Sequence, residues 1–175
     1  MAASLYTLTV PAFERALGAL LAVFAKAEAH AEARKFDANN YVGLRLAPDQ
    51  FTFMRQVQSA CDHAKNAAYR LAGQEPPRVE DKETTFAELR ARIETTLGLL
   101  KALDKGAVEA GAEREIVFPV GPSRKIKMPG PSYLANFALP NFYFHLTTAY
   151  DILRAAGVEI GKRDFIGNSP DAVPV

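Results

Sequence analysis

The sequence predicts an all-α fold: a four-helix bundle with a small β-hairpin inserted between its third and fourth long helices. Three observations lead there. Four stretches repeat their apolar residues at three- and four-residue steps. One stretch, between residues 113 and 128, switches to a strand-like pattern. No long structureless segment separates these elements, so the helices must cover one another.

The first helix is read from Pro11, which suits a first turn where its missing N–H is not needed. Val10, Phe13, Leu17, Leu20, Phe24, Ala27 and Ala31 form its apolar stripe, to about Lys35. His30 lies opposite that stripe and is expected in water. Residues 36–48 read as a loop. Asp49 is the expected cap of the second helix, which runs to about Leu71 and is closed by Gly73. Its core stripe is Val57, Cys61, Ala64, Ala68 and Leu71. Cys61 is therefore a small buried hydrophobe rather than a nucleophile. A flanking face carries Gln58, Asp62 and Lys65. His63 falls on the far side and is expected to be exposed.

Pro76 and Pro77 mark a connector. Thr85 and Glu88 have the S/T-x-x-E form of a capping box before Phe86, Leu89, Ile93, Leu97, Leu100 and Leu103. Arg90, Arg92 and Glu94 are placed outside, and the helix end near residues 104–106. Glu115 to Val120 and Arg124 to Met128 flank Gly121-Pro122-Ser123, a hairpin in which Pro119 confines its strand to an edge. Gly130-Pro131-Ser132 opens the fourth helix. Pro140 cannot donate to the carbonyl of Asn136, so a kink is expected. Gly157 ends the helix. Residues 158–168 are read as non-helical and 169–175 as a flexible tail, leaving one domain over 1–168.

Composition narrows the function classes. Of 175 residues, 49% are apolar and 23% charged, ordinary for a globular protein. Lys plus Arg number 21 against 20 Asp plus Glu, a net charge of +1, which gives no nucleic-acid footprint. A lone cysteine excludes an internal disulfide and a CxxC metal motif. The start shows no signal peptide. The apolar run after Pro11 is broken by charges, so no membrane span is expected and a cytoplasmic protein is the plain reading.

The fourth helix carries the functional clue. Leu134, Ala138, Asn141, His145, Thr148 and Ile152 share one stripe, apolar at its ends and polar in the middle. Buried polar groups are costly unless hydrogen-bonded, so such an island needs partners. Gln58 and Asp62 on helix two are the expected partners of His145, along with Asn141, and Lys65 completes the candidate ligand-binding set. A second stripe, Leu139, Phe142, Tyr143, Leu146, Tyr150 and Leu153, leaves that helix apolar on two sides, from which a homodimer is expected. There is no Walker loop, GxGxxG, HExxH or GxSxG setting.

Residues 139–165, together with Leu46 to Phe51, Arg55 to Gln58, Cys61 to Lys65 and Glu80 to Arg90, resemble an uncharacterised bacterial family catalogued as domain of unknown function 1993. That family is similar to a branch of the DinB-like superfamily of four-helix bundles. The resemblance implies a bacterial, cytosolic, often dimeric bundle and no established activity. Many DinB-like proteins hold a divalent metal on three histidines. Aligning Ile152 to Gly157 with the matching helix end puts His145 on one of them, Asn141 on the second, and Gln58 or Ser59 on the third, with Asp62 one turn on. Two histidines are thus missing, and no native metal is expected; His145 and Asp62 would be its ligands if there were one. Three functions stay open: a small-ligand pocket around His145 without a metal triad, a metal-dependent hydrolase or thiol transferase, and a structural dimeric module.

Overall fold

The computed structural model describes residues 4–121 and 123–168. In chain order the helices are α1 (Leu5–Ala33), α2 (Phe53–Leu71), α3 (Phe86–Lys101) and the short α4 (Lys105–Glu109). A hairpin follows, β1 (Glu115–Val120) and β2 (Arg124–Pro129). Then come α5 (Gly130–Tyr133), a π-helical turn (Leu134–Ala138), α6 (Leu139–Ala155) and α7 (Lys162–Ile166). The expected bundle and inserted hairpin are both present. The tail expected over 169–175 lies outside the described residues.

Helix α1 begins two turns earlier than the sequence suggests. Ser4 caps it by accepting from the Thr7 N–H, and its hydroxyl also bonds the Glu109 carboxylate. Pro11 lies inside. It removes one hydrogen bond, but Leu5, Thr9 and Val10 are buried, and their burial outweighs that loss. By length and hydropathy α1 would pass as a membrane span. In this fold its apolar face builds the core, with Phe13, Leu17 and Phe24 fully covered.

Thr52, not Asp49, caps α2 by accepting from the Arg55 N–H. Gly73 closes it at φ +73°, a conformation that favours glycine. The Thr85–Glu88 capping box of α3 forms as read. That helix stops at Lys101, because Asp104 caps α4 instead, accepting from Ala107 N–H at 2.7 Å. The hairpin pairs Ile116 with Met128 and Phe118 with Ile126. Ile116 and Phe118 point inward, while Val117 is exposed.

Pro140 does not produce a simple kink. The turn before it widens: the Leu139 N–H donates to the Leu134 carbonyl, five residues back. The extra residue takes up the hydrogen bond that Pro140 cannot make. After Gly157 (φ +92°) the chain is not wholly irregular, as expected, but forms α7, where the Asp164 carboxylate accepts from Gly161 N–H at 2.8 Å. Lys26 of α1 pairs with Asp164 at 2.7 Å and holds its carboxyl below the usual range.

The second stripe of α6 is partly covered within the chain. Phe142, Leu146 and Leu153 are buried, and Leu139, Tyr143 and Tyr150 half-buried. Phe142 meets Phe13 of α1 with ring centroids 4.6 Å apart, and Tyr150 meets Phe165 of α7 at 5.5 Å. The buried members of this stripe serve the bundle's own core.

Candidate functional site

Helix α2 has two polar flanks beside its core stripe, and they serve different neighbours. One carries Gln56, Ala60, His63 and Ala67 at helical spacing. Ala60 and Ala67 are fully buried, and their small size lets α6 approach closely. His145 of α6 meets this flank. Its Nδ1 lies 2.7 Å from Gln56 Oε1. The Gln56 amide nitrogen donates to the Phe51 carbonyl at 3.4 Å, which turns its oxygen to the imidazole. An amide oxygen only accepts, so Nδ1 carries the proton and Nε2 is an acceptor.

His63 stacks nearly parallel to His145, centroids 5.3 Å and planes 12° apart. Phe51 is also parallel to His145 at 6.2 Å, and Phe144 stands edge-on at 5.2 Å. Both phenyl rings are exposed, at 50% and 57%. Among the described residues no hydrogen bond reaches His145 Nε2 or either nitrogen of His63, yet these nitrogens are not sealed from solvent. Burial pushes the His63 imidazole down to about 4, and neighbouring His145 adds to the shift. Burial also lowers His145, with Arg55 nearby. Both rings are neutral at pH 7.

The other flank of α2 faces α3. Gln58 and Lys65 are buried there. Asp62 Oδ1 lies 3.0 Å from both Lys65 Nζ and an Arg92 nitrogen. Arg92 also reaches Glu83 at 3.0 Å, Asp81 at 3.1 Å and the Glu80 carbonyl at 3.1 Å. Gln58 donates to Glu83 at 2.9 Å and accepts from Arg55, which pairs with Asp81. Arg92 is thus not outside: it is 4% exposed and ties the connector before α3 to both helices.

The expected site is therefore split. Of Gln58, Asp62, Lys65, Asn141 and His145, only His145 lies in the two-histidine cluster. Its expected partners Asp62 and Gln58 belong to the Arg92 network. Asn141 donates to the Phe137 carbonyl of its own helix at 2.7 Å. Gln56 and His63 are the partners the sequence reading missed. His63 is half-buried, not exposed; so is His30, whose Nδ1 lies 2.6 Å from the Tyr41 hydroxyl. Cys61 is buried as read, and burial pushes its thiol up to about 12.

A three-histidine metal does not fit these residues. Two imidazoles converge, one nitrogen is taken by Gln56, and Asp62 is occupied by two cations. Among the described residues no three His, Cys, Asp or Glu side chains meet at one point. Two solvent-open cavities lie away from His145. One of about 590 Å³ is lined by Lys26, His30, Arg34, Gly157 and Glu159, and one of about 290 Å³ lies beside Arg92.

Comparison with known proteins bears on this geometry. A family model described as domain of unknown function (DUF1993) matches residues 5–166. The crystal structure of a DinB family member protein from Shewanella denitrificans is similar, with 44% sequence identity and a TM-score of 0.89. The match covers 97% of this chain and 96% of that one. Comparison with curated proteins gives no match.

Proposed function

The chain belongs to the family described as domain of unknown function DUF1993 and has a DinB-like fold, and from that premise we propose that it binds a small polar ligand, without a metal, at the surface where α2 meets α6. One observation carries the reading: two neutral imidazoles, His63 and His145, stacked 5.3 Å apart with free nitrogens that reach solvent. Buried polar groups normally find partners within the protein. Here Gln56 holds one nitrogen of His145 and leaves the outward one as an acceptor. The exposed rings of Phe51 and Phe144 flank it, so the ligand offers a hydrogen-bond donor on a flat, partly apolar body.

A cytoplasmic protein is part of the same reading. The metal-dependent alternative, a hydrolase or thiol transferase, asks for a third donor, and the engagement of Asp62 elsewhere speaks against it. The test is nitrogen-resolved NMR of the histidine rings during titration with a fragment library of planar hydrogen-bond donors. Binding shifts the His145 Nε2 and His63 resonances together and is lost in His145→Ala. A library that leaves both rings unmoved, or zinc bound at one equivalent per purified chain, overturns it.

A further inference from the structure

We propose that the cavity where α1 and α6 end is a second binding site, selective for a small zwitterion that carries a carboxylate and a protonated amine. Its volume of about 590 Å³ falls within the range of small-molecule sites. One wall is a stripe on α1: Lys26, His30 and Arg34 stand four residues apart, one above another. Ala29 and Ala33 lie between them and line the same space without filling it. The facing wall is Gly157 and Glu159. Gly157 adopts φ +92°, which favours glycine, and lies within van der Waals reach of His30: a Cβ there would sit 3.8 Å from Nε2.

His30 is held for use. Its Nδ1 meets the hydroxyl of Tyr41, itself 2% exposed, at 2.6 Å. Phe36 stands edge-on to the ring at 5.9 Å. The Tyr41 hydroxyl occupies Nδ1 and leaves Nε2 toward the cavity, a donor in the tautomer in which that hydroxyl donates.

The charges select the ligand. Lys26 is neutralised by Asp164. Among the described residues Arg34 and Glu159 have no ion-pair partner, and although both line the cavity they do not pair with each other. A simple anion would satisfy Arg34 and His30 but be repelled by Glu159. A simple cation would meet the reverse. A ligand with both charges satisfies both walls. The geometry puts the carboxylate on Arg34 and His30 Nε2, and the amine by Glu159.

The experiment titrates free amino acids, one at a time to about 10 mM, while the Gly157 amide and the His30 ring are followed by NMR. At least one produces saturable shifts at both positions. Its N-acetylated form and its decarboxylated amine each bind at least about tenfold more weakly, as does the free amino acid to Arg34→Ala or Glu159→Gln. These side chains are at the surface, and unchanged hairpin resonances report an intact fold. The proposal is overturned if no amino acid shifts these signals, if the acetylated or decarboxylated forms bind equally, or if both variants bind as the parent does. Shifts at His63 and His145 alone would place binding at the other site and equally overturn it.

Discussion

The Nδ1 of His145 on α6 sits 2.7 Å from Oε1 of Gln56 on α2, and this bond sets which imidazole nitrogen faces outward. Gln56 is fully buried. Replacing it by Leu leaves Nδ1 without its partner, a loss on the order of 1–3 kcal/mol. Gln56→Glu keeps an acceptor, and its carboxylate favours the imidazolium, so His145 titrates at higher pH than in the parent. Chemical denaturation measures the first effect and ring NMR the second. An unchanged midpoint in Gln56→Leu would show that the bond contributes nothing.

Acid should weaken the fold through the stacked histidines. The His63 imidazole titrates near 4 when folded, against an ordinary 6.5. Between those values the unfolded chain holds more protons, so stability rises with pH. The contribution is fully present above about 6.5 and is lost as pH falls toward 4, on the order of 2 kcal/mol for a half-buried ring. Urea melts at about pH 7 and about pH 4.5 should differ by this amount, and His63→Gln should flatten the difference. Equal pH slopes in parent and variant would sink the assignment.

The bundle was legible because helical periodicity reports which residues are buried. Capping chemistry placed the start of α3, and the alternation around Gly121 placed the hairpin. The site was only half legible. Periodicity put His145 inside, but not which flank of α2 faces it. That depends on how the helices are arranged around the core, which no single stripe encodes. Gln58 and Asp62 turned to α3, Gln56 and His63 to α6. The signal that could have decided it was Ala60 and Ala67, small apolar residues on the Gln56–His63 flank that mark a close helix crossing. Arg92 was similarly readable: it stands three residues after Leu89 and four before Thr96, all three buried, so it could not face water. The start of α1 was hidden because a proline is a weaker stop than the burial of Leu5 and Val10.

Arg92 balances Asp62, Asp81 and Glu83 and holds the connector before α3 in place. Arg92→Met removes the charge and leaves the carboxylates crowded, with Lys65 and Arg55 still paired to Asp62 and Asp81, at a cost on the order of 1–3 kcal/mol. The connector should then open, and trypsin should cut after Arg78 and Lys82 faster than in the parent. Arg92→Lys should fall between, since one ammonium cannot span the same set of acceptors. Cleavage at parental rates in Arg92→Met would show that the connector is held by other contacts.

Asn141 stands one turn before His145 on the same face of α6, and His63 of α2 stacks on His145. This cluster thus has two imidazoles, with Asn141 where a third would complete an i, i+4 pair. Its amide is spent on the Phe137 carbonyl, and an amide is a poor ligand for zinc. Two histidines hold a divalent ion weakly, whereas three protein ligands make a site. Asn141→His should therefore create zinc and nickel binding at least about 100-fold tighter than in the parent. The interaction should vanish again in His63→Ala or His145→Ala on that background. Binding should also fall with pH as the three imidazoles take up protons in competition with the metal. Competition titration with a chromophoric chelator reads the affinity, and elemental analysis the stoichiometry. A parent chain that already binds one zinc tightly would refute the metal-free reading. An Asn141→His variant no tighter than the parent would show that residue 141 does not point to the space shared by His63 and His145.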